Sequence, residues 1–265
     1  MKQIILVLLM SFELFATMIK APIVGINEED GTATVKLDHI DVGVSGFIVH
    51  KITEQHTTIL KNVYVVSYDL KTKIATLKMT PFNALRNNSL PTGKWKVQVG
   101  DEAQLAFGYT RAVLIAPNEE IYYRITKSVK IQWVHIDFFA TVLSYRGHPT
   151  PLKEDFEAMS IASGIGLVFF YLDQKVYTVD IKSFAILSIN DAVFKQDSVK
   201  LPFYSRVEKI EANFWGAGSD KLTEYAPHYY ELLVKYNPKN RELYEIIKNG
   251  DEKLHFLLDR FEIGE

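Results

Sequence analysis

The stretch Arg111-Ala112-Val113-Leu114-Ile115-Ala116-Pro117-Asn118 separates two kinds of sequence in this chain. Its continuous apolar run, ended by a proline, is typical of a strand buried on both faces. Asn118 is a favoured N-cap residue, and two glutamates follow it where the helix dipole favours acidic side chains. Downstream the strand and helix patterns alternate, whereas upstream only strand patterns occur. We therefore predict an α+β chain with a domain boundary near residue 109.

Upstream, residues 22–108 are predicted to form a β domain. Val63–Tyr68 and Lys73–Lys78 flank a polar turn and have the pattern of a hairpin. Glycines such as Gly46 and Gly100 interrupt the strand patterns where a bend or bulge needs no Cβ. Short strands at this spacing predict a small barrel or sandwich.

Downstream, residues 109–200 are predicted to form an α/β domain with a mixed sheet. Leu167–Leu172 and Val176–Asp180 flank a polar turn, which predicts a second hairpin. Residues 201–265 form the last predicted region, which is helical from about Ser205. Asn237-Pro238 ends one amphipathic helix there, and a second is predicted from Lys239 to about Glu262 with a break at Asn249-Gly250.

The first 21 residues have the proportions of a signal peptide. Met1-Lys2 is a short positive region, and the apolar run after it is too short to cross a bilayer. Cleavage is expected after Ala16 or Ala21, with Ala16 favoured because Pro22 follows Ala21. The alternative is an uncleaved anchor or a buried first element. We expect export to the periplasm, outer membrane or cell surface, with no integral membrane span in the mature chain.

Composition and motifs exclude several classes of function. The chain has no cysteine, which removes thiolate nucleophiles and cysteine-ligated metals and fits an oxidising compartment. Its net charge of −2 gives no general attraction for nucleic acid. No nucleophile elbow, P-loop, zinc-protease motif or dinucleotide fingerprint occurs, so we expect no cofactor and no catalysis. An envelope enzyme remains the alternative of another class.

A few polar and aromatic groups could nevertheless carry function. His135, Asp137 and His148 could present metal-binding or catalytic groups, although Asp137 is better placed as a helix cap. The neighbouring carboxylates Glu154 and Asp155 are interpreted as solvated surface. Three aromatic pairs could each turn one ring to the core and the other outward for protein or glycan contact. These pairs are Tyr122-Tyr123, Phe138-Phe139 and Tyr229-Tyr230.

Several ordered segments resemble the N-terminal domain of the plasminogen-binding protein family, exported proteins of the epsilonproteobacterial lineage. The most distinctive piece is Gln132-Trp133-Val134-His135, followed by Gly147-His148-Pro149-Thr150-Pro151-Leu152-Lys153-Glu154-Asp155-Phe156. The other pieces are Lys20–Gly25, Val42–Gly46, Lys94–Glu102 and Arg111–Asn118. The resemblance covers roughly residues 20–220.

The resemblance implies an exported or surface-exposed, non-catalytic protein that binds host plasminogen. Under the alternative scaffold role, the partner is a component of an envelope machine. Plasminogen kringles recognise lysine-like ligands, and this chain ends Ile263-Gly264-Glu265, so internal basic residues are expected to serve. The candidates are Lys239, Arg241, Lys248 and Lys253, beside Glu242, Asp251 and Glu252; a solvated helix face is the alternative.

The connector Gly147–Pro151 is a second candidate contact, or else a purely structural corner. The alternative function is that of a scaffold in a periplasmic or outer-membrane assembly such as a flagellar disk.

Overall fold

The computed structural model describes residues 18–82 and 95–263. The predicted signal peptide lies outside the described residues, apart from its last four positions. The described residues up to Tyr109 form one compact unit, and those from Thr110 onward form another. The first unit is a β-barrel, and the second combines a mixed sheet with the C-terminal helices. The predicted α+β fold class is therefore confirmed.

Six antiparallel strands close the barrel in the order β1-β2-β5-β4-β3-β6. Their bounds are β1 Ile19–Asn27, β2 Thr32–Lys36, β3 Ser45–Lys51, β4 Thr57–Asp69, β5 Ile74–Pro81 and β6 Glu102–Leu105. Alternate residues of β2 and β5, such as Ala33 and Leu77, are buried inside the barrel, as the period-two pattern predicts. Of the two predicted architectures, the structure selects the barrel.

The barrel closes where β3 passes β6. Gly46 pairs with Leu105 across this junction. A Cβ added at Gly46 would lie 2.8 Å from the Leu105 Cα, so only glycine allows the two backbones to approach this closely. This glycine therefore explains how a short strand such as β6 can complete the ring of strands.

The mixed sheet has five strands in the order β11-β10-β9-β7-β8. They are β7 Arg111–Ile115, β8 Gln132–Trp133, β9 Leu167–Leu172, β10 Lys175–Asp180 and β11 Ile186–Asp191. Strand β7 runs parallel to β8 and β9, and the other pairs are antiparallel. All six residues of β9 are buried, because elements cover both faces of this part of the sheet.

Three helices connect these strands: α1 Glu119–Ser128, α2 Ile136–Arg146 and α3 Lys153–Ser163. Asn118 caps α1 as predicted, and its Oδ1 accepts a 2.9 Å hydrogen bond from the Ile121 N–H. The cap predicted for α2 is wrong, because the helix begins at Ile136 and Asp137 lies inside its first turn. His135 is the N-cap, and its Nδ1 accepts from the backbone N–H of Asp137.

The chain ends in α4 Tyr225–Tyr236, α5 Arg241–Lys248 and a 3-10 helix over Glu252–Arg260. The predicted break at Asn249-Gly250 is thus found between α5 and the 3-10 helix. The prediction of helix from about Ser205 is wrong, because residues 205–224 are irregular and rich in glycine and polar residues. In the described ranges, no helix combines the length and apolar character that crossing a membrane requires.

Candidate functional site

The connector Gly147–Pro151 turns the chain sharply between α2 and α3. Gly147 ends α2 in the left-handed region, at φ 71°. A Cβ at this position would lie 2.6 Å from the backbone nitrogen of Asn213, so both the conformation and the space require glycine. The next residue, His148, donates its backbone N–H to the Leu143 carbonyl at 3.0 Å and completes the helix end.

The buried side chain of Asp155 links the end of α2, the connector and the start of α3 by hydrogen bonds. Its carboxylate accepts from Arg146 Nε at 2.5 Å, from His148 Nδ1 at 2.8 Å and from the Leu152 backbone N–H at 2.7 Å. A carboxylate only accepts hydrogen bonds, so the His148 proton in this contact is on Nδ1. The interpretation of Asp155 as solvated surface is wrong, because the side chain is completely buried. Its neighbour Glu154 is exposed, as predicted.

The irregular segment 205–220, here called the strap, binds across α2 and the connector. The Asn213 backbone N–H donates to the Gly147 carbonyl at 2.9 Å, and its side-chain amide donates to the Arg146 carbonyl at 2.7 Å. Thr150 donates its N–H to Gly218 and its hydroxyl to Asp220. The strap and the connector therefore fix each other, although about 70 residues separate them in the sequence.

These contacts determine how much accessible surface each connector residue offers to a binding partner. Gly147, Pro149 and Pro151 are buried, while His148 and Thr150 are half-buried and engaged within the corner. The buried residues lack the accessible surface that direct contact needs, so the geometry supports the structural corner rather than the contact loop.

Three aromatic side chains beside this corner are almost fully exposed: Tyr145 at 93%, Phe214 at 86% and Trp215 at 82%. Tyr145 precedes Arg146 and Phe214 follows Asn213, so both flank the hydrogen bond that joins the strap to α2. The Phe214 and Trp215 rings meet edge to face with centroids 4.7 Å apart. Large aromatic groups this exposed are enriched where proteins bind other molecules. We call Tyr145, Phe214 and Trp215 the aromatic surface.

Sequence reasoning missed the aromatic surface. A usable signal was present, because Phe214-Trp215 stands between Asn213 and the glycines at 216 and 218, with no helix or strand period. The three aromatic pairs predicted from the sequence differ from one another in their burial. Tyr123 and Phe138 are exposed beside buried Tyr122 and Phe139, as predicted. Tyr229-Tyr230 contradicts the prediction, because both of its rings are buried.

The four predicted basic residues do not share one helix face. All are exposed. Lys239 lies between α4 and α5 with its Nζ 4.0 Å from Glu262, and Arg241 begins α5. Lys248 ends α5 with its Nζ 5.8 Å from the Tyr244 ring centroid, and Lys253 lies in the 3-10 helix. The sequence pattern predicted one helix for all four residues. In the structure the break at 249–250 separates Lys253 from the other three.

The structure brings together two of the three predicted metal or catalytic residues: His135 Nδ1 lies 3.4 Å from the Asp137 carboxylate. The Asp137 carboxylate accepts from the Arg206 backbone N–H at 2.8 Å and from its Nε at 2.6 Å. Burial opposes ionisation of Asp137, but these hydrogen bonds hold its pKa below the usual value. His148 is committed to Asp155 instead. Within residues 18–82 and 95–263, no three metal-ligating side chains come together.

Comparison with known proteins shows to which family the chain belongs. A model of the N-terminal region of the plasminogen-binding protein PgbA matches residues 18–233. The chain belongs to this family. Two Helicobacter pylori proteins named plasminogen-binding protein PgbA, from strains J99 and 26695, are each 28% identical to it over 201 residues. The match covers 74% of this chain and 43% of each relative, so this chain spans less than half of their length. No solved structure matches.

The extent of the family match bears on the two candidate surfaces. It ends at residue 233, within α4. The strap, the connector and the aromatic surface all lie inside it, whereas Lys239 and the three basic residues after it lie outside. The aromatic surface is therefore part of the region that defines the family.

Proposed function

We propose that this protein is an exported, non-catalytic envelope protein that binds a protein partner through the aromatic surface. The observation that carries the proposal is the exposure of Phe214 and Trp215 on a strap fixed by hydrogen bonds. The names of the relatives, which describe binding rather than a reaction, support the same role.

The physical argument rests on rigidity. Tryptophan and tyrosine often supply most of the free energy at protein interfaces, and they lose little conformational entropy on binding. Here the Asn213 contacts hold the strap to α2 and Gly147 before any partner arrives. Binding then requires little ordering of the strap, so more of the contact free energy contributes to affinity.

Plasminogen is the partner that the relatives' names point to. The basic residues offer a route to its kringles, since all four are exposed and the acidic residues Glu242, Asp251 and Glu252 lie near them in the sequence. That route depends on lysine recognition, whereas the aromatic surface does not. A lysine analogue therefore separates the two routes.

The test is binding of the purified chain to immobilised plasminogen, with and without 6-aminohexanoate. The variants are Phe214→Ser/Trp215→Ser and a quadruple alanine variant of Lys239, Arg241, Lys248 and Lys253. Leu70→Ser, which changes an exposed apolar side chain of the barrel, is the matched control. We expect the aromatic double variant to bind at least about tenfold more weakly, since each hot-spot truncation costs upward of 1 kcal/mol.

The outcomes of this assay distinguish the aromatic surface from the basic residues as the binding site. Loss of binding only in the quadruple variant, with competition by the analogue, would refute the aromatic surface and favour the basic residues. If the wild-type chain does not bind plasminogen, purification from the native envelope tests the scaffold role. Recovery of an assembly component in stoichiometric amount, lost in Phe214→Ser/Trp215→Ser but kept in Leu70→Ser, would support that role. Recovery that is equal in both variants would refute the aromatic surface.

Export is the second part of the proposal. Ile19, Lys20 and Ala21 of β1 pair with β6 in the barrel. Cleavage after Ala21 would remove these paired residues, whereas cleavage after Ala16 leaves β1 whole. We expect mass spectrometry of the protein from the periplasmic fraction to find a chain beginning at Thr17. An unprocessed chain in the cytoplasm would contradict export.

A further inference from the structure

A groove of about 500 Å³ opens beside the start of α4, and its lining includes none of the three residues of the aromatic surface. Tyr225 is buried at this point, and its hydroxyl donates to the carbonyls of Ile115 and Tyr171 at 3.1 Å each. The hydroxyl proton is thus shared between two carbonyls of the fold, and Tyr225 is one of the residues that line the groove. Apolar groups such as Pro227 and Leu254 also line the groove. A recess of this volume is within the range of small-molecule sites.

The polar groups of the groove are mainly acidic. Asp173, Glu224 and Asp251 contribute three carboxylates, and Lys253 contributes the single ammonium among the lining residues. Across the described ranges, neither Asp173 nor Asp251 makes an ion pair with a lysine or arginine within 4.0 Å. The groove therefore has an excess of negative charge that the described part of the protein leaves uncompensated.

The Asp173 carboxylate lies beside a pair of buried tyrosines, since the Tyr230 hydroxyl lies 3.1 Å from the Tyr177 hydroxyl. Burial of its inner side raises the pKa of Asp173, Tyr230 acts to lower this pKa, and the negative charge of Asp251 raises it. Asp173 nevertheless keeps accessible surface at the rim. A cation bound beside both carboxylates would relieve their repulsion.

We propose that this groove binds a primary alkylammonium group. The ammonium interacts with Asp173 and Asp251, and the methylene chain packs on the apolar lining, of which Val199 and Leu201 are exposed. The combination of apolar walls and an acidic rim suits a ligand with a flexible aliphatic stem and a cationic end. Such a group can come from a lysine side chain of another protein or from a free diamine.

The test is titration of the whole chain with two probes at low ionic strength, followed by NMR. Nα-acetyl-lysine methylamide represents the protein side chain, and 1,5-diaminopentane represents the free amine. The variants are Asp173→Asn and Asp251→Asn. Asparagine tolerates the φ of 44° at 173 and can still cap the 3-10 helix at 251, so both substitutions preserve the fold. Glu29→Gln, an exposed carboxylate of the barrel, is the matched control for net charge.

We expect signals of residues around the groove to shift with at least one probe. Each asparagine variant should weaken binding by up to about fivefold, the range for partly exposed charge pairs. Lys253→Met should strengthen it because a competing ammonium is removed. Tighter binding of the lysine derivative identifies a protein ligand, and tighter binding of the diamine identifies a free amine.

Either of two results would overturn the proposal. One is no saturable shift with either probe in the wild-type chain. The other is an equal loss of affinity in Glu29→Gln and in the two groove variants, which would show a general charge effect. Neither result bears on the aromatic surface, because none of these substitutions changes it.

Discussion

Substitution of Asp155 by alanine should remove most of the stability of the corner between α2 and α3. The carboxylate is completely buried and accepts three hydrogen bonds, from Arg146, His148 and the Leu152 backbone N–H. Removing one partner of a buried charged pair costs about 3–5 kcal/mol, since the remaining groups lose their partner away from water. Arg146 is one-third exposed, so water can reach part of its side chain. The expected loss is therefore near the lower limit, about 3 kcal/mol.

Urea unfolding followed by tryptophan fluorescence measures this loss. Trp133 packs on Phe169 in the mixed sheet, with ring centroids 5.1 Å apart, and so reports on that unit alone. A Trp95→Phe/Trp215→Phe background isolates its signal. With an m-value of about 2 kcal/mol/M, a loss of 3 kcal/mol lowers the unfolding midpoint by about 1.5 M.

The neighbouring exposed carboxylate provides the control for Asp155→Ala. Glu154→Ala should change the free energy of unfolding by no more than about 0.5 kcal/mol. If Asp155→Ala also stayed within about 1 kcal/mol of the parent, the reasoning from buried hydrogen bonds would be refuted. Because the strap rests on the same corner, Asp155→Ala should in addition weaken partner binding, whereas Glu154→Ala should not.

Three further substitutions test other parts of the fold. Gly46→Ala places a Cβ against the β6 backbone at Gln104 and should destabilise the barrel by about 1–3 kcal/mol in urea unfolding; an unchanged midpoint would contradict the close approach. Burial lowers the pKa of His228, whose Nε2 lies 2.9 Å from the Pro151 carbonyl. The unfolded chain therefore binds the proton at higher pH than the folded chain, and the free energy of unfolding decreases as the pH falls below the unfolded pKa of about 6.5. The midpoint should therefore drop less between pH 7.5 and pH 5.5 in His228→Gln than in the wild type, and equal drops would exclude His228 as the cause. Tyr225→Phe leaves two buried carbonyls without its hydroxyl and should cost about 1–3 kcal/mol in thermal or urea unfolding, while a neutral effect would show that other donors replace it.

The elements of the fold were readable from the sequence where their residues repeat with a clear period. The hairpin of β4 and β5 and the buried run of β7 follow directly from their patterns. Asn118 was recognisable as a cap because capping is local, involving a residue and the helix turn that follows it. The sequence pattern did not predict how the barrel closes. Closure depends on the pairing of Gly46 with Leu105, which are far apart in the sequence.

The candidate site was less predictable for the same reason. Asp155 and Glu154 are adjacent carboxylates in the sequence, and the burial of Asp155 depends on its contacts with Arg146, His148 and the Leu152 N–H in the fold. The strap has no period, so its polar and glycine residues indicated nothing definite. Its conformation depends on hydrogen bonds to a segment about 70 residues earlier. Aromatic content alone did not separate Phe214-Trp215 from the buried Tyr229-Tyr230 pair.

Closure of the barrel limits how its unit can associate with other molecules. Among the described residues, each of the six strands has a paired neighbour on both sides, so the closed sheet has no edge strand. Closure therefore disfavours the addition of a foreign β-strand and the edge-to-edge joining of identical barrels. Crowding of many copies would then favour contacts that depend on particular side chains. The chemistry of the barrel's outward-facing residues, rather than its backbone, would determine the selectivity of any association by this unit.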